Sequence, residues 1–262
     1  MAHIDNPPPG SFCWMELATN DQNAAKTFYA ALFGWSANDF PMGPGSFYTM
    51  FQLDGRDVGA CYTLPPEELQ SGAPPHWNLY IAVEKADDAA ARASEIGGKI
   101  VAPPFDVMDA GRMAVIQDPT GAFFHVWQPM KHHGIGISNV NAAFCWADLN
   151  TGDAMAASAF YSALFGWKFE LGEKDPSGYL HIKNGDSFIG GIPPAQYRDP
   201  NSPAHWMLYF QVADCDASSA KATELGARTY MPPMSIEGVG RMSVIADPQG
   251  AALSLFTPAA HA

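Results

Sequence analysis

Basic residues are scarce in this chain of 262 residues, where 14 Lys and Arg stand against 27 Asp and Glu for a formal net charge of −13. A negative surface repels phosphate backbones, so we expect no nucleic-acid partner. It weakly favours cationic ligands, although acidity also serves solubility alone. No apolar run approaches the roughly 20 residues that span a bilayer, and "MAHIDNPPPG" lacks the basic and apolar segments of a signal peptide. The sequence therefore predicts a cytoplasmic protein with no membrane partner.

Cysteine is also scarce, with four residues and no CxxC spacing. That count and spacing argue against a disulfide framework. Cys13 and Cys145 occupy matching places in strand-like runs. We expect buried free thiols in a reducing compartment.

A long internal repeat is the main feature that is present. "FYAALFGW" at 28–35 returns as "FYSALFGW" at 160–167, 132 residues later. "GRM" and "DPTGA" return as "GRM" and "DPQGA" 129 residues later, so three residues are deleted between about 36 and 76. The repeat predicts two homologous domains, 8–130 and 142–258, joined by a linker at 131–141.

Each half alternates strand and helix signals. A first strand at 11–17 precedes a helix from about Asp21 to Phe33, with Asp21 as the N-cap and Asn20 as the alternative. Gly34 ends this helix, so the FYxxLFGW block is interpreted as helix core and cap. Strand-like runs follow at 46–53 and 57–64, and the order then restarts with "HWNLYIAV", a helix over "DDAAARASEIGG", "GRMAVIQD" and "FFHVWQ". The pattern predicts an α+β fold with a βαβββ module repeated four times.

These motifs, in this order and duplicated, resemble the vicinal oxygen chelate superfamily, which includes glyoxalase I, bleomycin-resistance proteins and extradiol dioxygenases. The likeness covers about residues 10–129 and 142–257 and is greatest to two-domain bacterial members. It implies paired βαβββ modules whose mixed sheets curl into cups, each a small-molecule site. Whether the cups form within each half or between modules of different halves stays open.

The resemblance also implies where a metal would bind: on the first strand, a middle strand, the fifth strand and the last strand. An indole has no lone pair for a metal, and tryptophan occupies the first place in both halves. A shift of the alignment by two would bring in His76 and His205. We therefore predict no metal and no other cofactor, with a divalent metal as the alternative. The implied places hold Trp14 and Trp146, Gln52 and Lys183, Asn78 and Met207, and His125 and Ser254.

Alternation along a strand selects the side chains that share a cup face. If Trp14 faces the cup, Phe12 and Glu16 also do, and the counterparts are Phe144, Trp146 and Asp148. Such a face suits a small organic ligand, although packed tryptophans could also fill the cup. The candidate catalytic groups are Glu16, Asp148, His76 and His205. The candidate ligand-binding residues are Trp14, Trp146, Asn78, Tyr80, His125, Trp127, Arg112 and Arg241.

Several of these residues have a structural alternative. Arg112 and Arg241 could form salt bridges within their own half, and His76 and His205 could bond to loop backbone. Glu16 and Asp148 could cap backbone amides at a strand end or lie at the rim of the cup. The functional hypotheses are a binding module for a small organic molecule, a metal-dependent lyase or dioxygenase, and a metal-independent acid/base enzyme. Because His125 has only Ser254 as its counterpart, we expect the His125 cup to be the functional one. The chain is expected to be a monomer, as an internal pseudo-dimer, or a homodimer.

Overall fold

The computed structural model describes residues 4–70, 72–172 and 177–259. The first half contains β1 Phe12–Thr19, α1 Gln22–Phe33, β2 Ser36–Gly43, β3 Ser46–Leu53, β4 Arg56–Thr63, α2 Pro66–Gln70, β5 His76–Ala82, α3 Ala86–Glu95, β6 Lys99–Val107, β7 Gly111–Gln117 and β8 Phe123–Pro129. The second half contains β9 Phe144–Asn150, α4 Ala154–Phe165, β10 Lys168–Leu171, β11 Leu180–Asn184, β12 Ser187–Ile192, a 3-10 turn Ala195–Tyr197, β13 His205–Gln211, α5 Cys215–Glu224, β14 Arg228–Ile236, β15 Gly240–Ala246 and β16 Ala252–Pro258.

The strands form two eight-stranded mixed sheets, one from each half, with the orders β2-β3-β4-β1-β5-β8-β7-β6 and β10-β11-β12-β9-β13-β16-β15-β14. The central pair β1–β5 is antiparallel, while β1–β4 and β5–β8 are parallel. The predicted α+β fold with four βαβββ modules is confirmed. Each sheet forms within its own half, which settles the question that the repeat left open.

The predicted helix boundaries follow from their capping residues. Asp21 accepts a hydrogen bond from the Ala24 amide, and Gly34 ends α1 with a left-handed φ of 76°. In α4, Asp153 and Gly166 repeat the same two contacts. The edge strands β2 and β6 were not predicted as strands. They contain Pro41 or Pro103 and Pro104, and an edge position needs fewer backbone donors.

The repeated FYxxLFGW block packs at the junction of the halves, which confirms its structural interpretation. The Tyr29 hydroxyl donates to Asp247 of the second half at 2.9 Å, and Tyr161 donates to Asp118 of the first half at 2.9 Å. Both tyrosines are fully buried. The aspartate of each DPxG turn therefore fixes the helix of the other half. The aromatic cluster around α1 comprises Phe28, Tyr29, Phe33, Trp35, Phe51, Trp77 and Phe210.

The prediction that Phe12 and Phe144 face the cup is wrong. The register of β1 against β5 shifts between Phe12 and Trp14, and β9 shares the irregularity. The bulge turns Phe12 away from the cup, onto Trp167 and Trp206 with ring centroids 5.6 and 5.4 Å apart. Phe144 turns with it and contacts Phe12 at 6.1 Å.

The cysteines are free thiols, as predicted, with Cys13, Cys61 and Cys215 buried and Cys145 partly exposed. Of the helices in the described ranges, none is long and apolar enough to cross a membrane.

Candidate functional site

Each sheet has one face covered by helices and one face turned away from them, which we call its cup. Cross-strand partners share a face, and Trp14 pairs with Tyr80, Glu16 with Asn78, and Tyr80 with His125. The first cup is therefore lined by Trp14, Glu16, Tyr48, Tyr62, Asn78, Tyr80, His125 and Trp127. The second cup is lined by Trp146, Asp148, Tyr179, His181, Met207, Tyr209, Ser254 and Phe256.

A buried carboxyl lies at the centre of the first cup. Glu16 accepts a hydrogen bond from the Tyr80 hydroxyl at 2.7 Å and is 8% exposed. The Trp14 indole donates to the Tyr48 hydroxyl at 3.0 Å. Burial raises the pKa of Glu16, and the hydrogen bonds from Tyr80 and Tyr48 partly oppose that rise.

His125 lies beside Tyr80 in the same cup and is neutral. Its ring meets Tyr80 edge-on with centroids 4.4 Å apart, and its Nδ1 is buried without a hydrogen-bond partner among the described residues. Burial, with a smaller contribution from His76, lowers the pKa of His125 to about 3. The first cup therefore holds an uncharged imidazole.

The second cup repeats the arrangement with a shorter acid. The Oδ1 atom of Asp148 accepts hydrogen bonds from the Trp146 indole at 3.0 Å and from the Tyr179 hydroxyl, while Oδ2 accepts from the Tyr209 hydroxyl at 2.7 Å. Burial raises the pKa of Asp148 to about 6, against the lowering effect of its three donors. Asp148 can therefore change its protonation state near neutral pH.

Both cups thus contain a tryptophan, an acid and two tyrosines, a set we call the quartet: Trp14, Glu16, Tyr48 and Tyr80 in the first cup, and Trp146, Asp148, Tyr179 and Tyr209 in the second. Sequence reasoning missed Tyr48 and Tyr179. They lie 131 residues apart, between the two repeat offsets, so a pairwise alignment of the halves could have found them. Glu16 pairs with Ala60, whereas Asp148 pairs with Gly191. A Cβ at Gly191 would lie 2.0 Å from the Tyr179 hydroxyl, so the glycine makes room for that tyrosine to reach the shorter acid.

The linker lies against the first cup. The His132 ring meets Trp14 edge-on at 4.5 Å, and its carbonyl accepts from the Trp127 indole at 2.9 Å. The amides of Ile135 and Gly136 donate to the carbonyls of Cys13 and Asp57, both at 2.8 Å. These contacts leave Trp14 only 4% exposed, whereas Trp146 in the second cup is partly exposed.

The remaining candidates are bound to other groups. The Nδ1 atoms of His76 and His205 lie 2.8 and 2.9 Å from the carbonyls of Pro74 and Pro203, so both match the loop-backbone alternative. They lie at the first residues of β5 and β13. Their catalytic role stays a prediction.

The two candidate arginines lie on the helix side of the sheets. Arg112 forms a bidentate pair with Asp87 at 2.7 and 2.9 Å and a third bond to Asp106 at 2.8 Å. Arg241 pairs with Asp216 at the start of α5. Arg112 lies opposite Gln128, next to the cup residue Trp127, and so belongs to the other face. The geometry therefore matches the salt-bridge alternative and gives no support to ligand binding by these arginines.

The donor set does not fit the metal site of metal-using relatives. Among the described residues, no three His, Cys, Asp or Glu side chains form a group that could hold a metal ion. Glu16 and His125 share the first cup, but Tyr80 already donates to the carboxyl. In the second cup Ser254 replaces the histidine, and both oxygens of Asp148 accept protein hydrogen bonds. The described residues of the two cups therefore do not match the ligand set of that metal site.

Two sheets of paired βαβββ modules, each with an aromatic face around a buried acid, define a tandem glyoxalase-like fold. The chain belongs to the Glyoxalase/Bleomycin resistance protein/Dioxygenase superfamily, whose family model matches residues 11–126, while a Glyoxalase-like domain model matches residues 146–256. The resemblance predicted from the repeated motifs is confirmed.

Full-length relatives share this organisation. A Mycobacterium tuberculosis protein named "Putative glyoxylase CFP32" is 41% identical over 250 residues and is covered to 94%, as is this chain. "Anthracycline biosynthesis protein DauV" of Streptomyces sp. strain C5 is 34% identical over 261 residues, with 94% of this chain and 93% of the relative covered.

Solved structures agree on the fold alone. The Mn(II)-bound glyoxalase from Novosphingobium aromaticivorans superposes with a TM-score of 0.65 at 14% identity, over 98% of this chain and 83% of that chain. The 2,3-dioxygenase LapB from Pseudomonas sp. KL28 gives a TM-score of 0.62 at 12% identity, over 100% and 95% of the two chains.

Proposed function

We propose that this chain binds a small planar organic molecule against the aromatic face of a cup, without the superfamily metal. The repeated quartet is the observation that carries the proposal. Indole and phenol rings supply flat apolar area, and the few polar atoms among them orient a ligand. A buried acid with two tyrosine donors has been kept in both halves while other cup residues changed.

The second cup is the better candidate for binding. Trp146 and Met207 keep part of their surface exposed, whereas their counterparts Trp14 and Asn78 in the first cup are buried and His132 covers Trp14. This differs from the expectation that the His125 cup is functional. That expectation rested on the polarity of His125 and took no account of where the linker packs.

The relatives support an aromatic ligand. The Streptomyces relative at 34% identity is named an anthracycline biosynthesis protein, and anthracyclines are fused planar ring systems. Flat rings of that kind match the indole and phenol surfaces of the quartet.

Titration calorimetry with two probes, the anthracycline doxorubicin and 1-naphthalenemethanol, tests the proposal. We expect at least one probe to bind saturably, chelator to leave the affinity unchanged, and elemental mass spectrometry to find substoichiometric metal. Trp146→Ala should weaken binding, while the control Tyr197→Ala, which alters an exposed aromatic outside the cups, should not. Failure of both probes, or binding that disappears with chelator, contradicts the proposal.

A metal-independent acid/base enzyme is the second candidate, favoured by Asp148. Its pKa of about 6 lets it exchange a proton near neutral pH. Mass spectrometry of each bound probe after long incubation measures this activity. Conversion by the natural chain but not by Asp148→Asn would favour the enzyme, and unchanged probe would favour binding alone.

The remaining expectations stay predictions: no nucleic-acid partner, a cytoplasmic location, and a monomer or homodimer. Light scattering on purified protein measures the oligomeric state directly. A divalent metal stays the alternative cofactor.

A further inference from the structure

Asp148 is a buried carboxyl with only neutral partners. It is 4% exposed, and its hydrogen bonds come from one indole and two phenols. Aspartate is rarely so buried without a cationic partner. The ion pairs found within residues 4–70, 72–172 and 177–259 involve other carboxylates than Asp148.

The titratable side chains around Asp148 do not supply the missing charge. Lys183 of β11 lies 3.6 Å from Glu170 and over the Phe188 ring at 5.1 Å. His181 lies on the cup face but packs edge-on between Tyr179 and Phe188, at 4.9 and 5.3 Å. The acid therefore faces the cup without a protein cation.

Aromatic faces surround this acid. Trp146, Tyr179, Tyr209 and Phe256 all belong to the second cup, and Trp146, Tyr179 and Phe256 are partly exposed. Aromatic faces attract cations, and that attraction grows when water is excluded. The indole and hydroxyl hydrogens of the quartet already point to protein acceptors, so these four residues offer a ligand acceptor atoms and ring faces.

We propose that the second cup takes an organic cation, a protonated amine carried on an aromatic ring, with the ammonium group against Asp148 and the ring against Trp146. This inference rests on the proposed binding function and narrows its ligand class. The Asp148 carboxylate would repel an anionic ligand, and a neutral ligand would leave this carboxylate without a counter-charge. The net charge of −13 favours the approach of a cation from solution.

Three probes with the same ring test the charge: 1-naphthylmethylamine, 1-naphthalenemethanol and 1-naphthoate. Calorimetry should show the amine binding roughly tenfold or more tightly than the alcohol, as a charge-assisted hydrogen bond predicts, and naphthoate binding weakest. Asp148→Asn should remove the preference for the amine over the alcohol, and an unchanged far-UV circular dichroism spectrum reports that the variant is folded. The control Asp186→Asn changes an exposed acid of the same half by the same charge and should keep the preference.

The outcomes separate the two proposals. Equal affinity for amine and alcohol, or a preference that survives in Asp148→Asn, overturns the cation inference while the aromatic binding function stands. Tightest binding of naphthoate also overturns it. If none of the three probes binds and doxorubicin also fails, the binding function itself is wrong and this inference falls with it.

Discussion

The two cups descend from one duplicated module, yet they differ in access. Each keeps a tryptophan, an acid and two tyrosines in the same arrangement. In the first cup the linker packs His132 onto Trp14, and in the second cup Trp146 stays partly exposed. The comparison teaches that duplication can preserve the polar centre of a site while the chain connecting the copies covers the tryptophan of one of them.

The cups also differ in the residues that surround their buried acid. Glu16 lies beside Ala60, while the shorter Asp148 lies beside Gly191, where Tyr179 fills the space of the missing side chain. His125 in the first cup corresponds to Ser254 in the second. An uncharged imidazole in a cup whose tryptophan is covered favours a closed structural core, whereas a cup whose tryptophan is partly exposed favours a ligand.

Gly134→Ala should have the largest effect, because the linker passes close to the backbone of β1 at this residue. Gly134 has a φ of 118°, and a Cβ there would lie 2.3 Å from the Cys13 carbonyl. Backbone strain plus overpacking should lower the free energy of unfolding by about 3 kcal/mol. Urea denaturation measures this loss.

Gly136→Ala is the matched control. Its φ lies outside the left-handed region, and its added Cβ would meet Arg56 Cβ at an ordinary 3.4 Å. We expect it to remain close to the natural stability. Equal losses for both variants would mean that the linker as a whole, rather than the close approach at Gly134, sets the stability.

Asp148→Asn should change how stability depends on pH. Burial raises the folded pKa of Asp148 to about 6, above the usual 3.8 of an aspartate. The folded state therefore binds the proton more tightly, so this group favours folding below about pH 4, and that contribution is lost as pH rises through 6. Between pH 4 and 8 the natural chain should lose about 2 kcal/mol relative to Asp148→Asn.

Chemical denaturation of both chains across that pH range is the measurement. The pKa of Glu16 is raised by burial as well, so Glu16→Gln should shift the curve in the same direction. Parallel stability curves for the natural chain and Asp148→Asn would contradict the assignment of a raised pKa in the second cup.

Tyr29→Phe and Tyr161→Phe test whether the halves are held by equivalent contacts. Each removes the hydroxyl that donates to the Oδ2 atom of Asp247 or Asp118, while backbone amides keep bonding Oδ1. Leaving a buried carboxylate oxygen without its donor should cost about 1–2 kcal/mol in each variant. Thermal and urea unfolding should give similar losses, and a loss confined to one variant would show that the two contacts are not equivalent.

The duplicated motifs predicted the fold and much of the cup, for reasons that are local or periodic. Neighbouring residues alone determine two of these features. One is the capping of α1 by Asp21 and Gly34, and the other is the shared face of Trp14 and Glu16, which lie two residues apart on β1. Phe12 was placed on the wrong face because a β-bulge adds a residue that strict alternation does not contain. The edge strands were missed because proline weakens the strand signal where the sheet tolerates it.

The position of the linker could not be predicted from the sequence. Its glycines, Gly134 and Gly136, are typical of a flexible connection, but their small size lets the chain approach the Cys13 and Asp57 carbonyls. This packing of the linker depends on where β1 and β4 lie in the folded chain. The hydrophobic periodicity of the sequence does not encode those positions. Tyr48 and Tyr179 were missed because their role depends on hydrogen bonds across neighbouring strands.

His132→Ala should affect stability least and sharpen the comparison most. The side chain covers Trp14, but the carbonyl that accepts from Trp127 and the amides of Ile135 and Gly136 remain, so the linker should stay in place. Removing the ring should cost about 1 kcal/mol of stability and open the first cup beside Trp14.

The control His133→Ala alters the exposed neighbouring histidine. If access alone separates the cups, calorimetry with 1-naphthalenemethanol should rise from about one to about two sites per chain in His132→Ala and remain at about one in His133→Ala. An unchanged stoichiometry in His132→Ala would mean that the first cup is filled by its own side chains, so that the linker is not what prevents binding there.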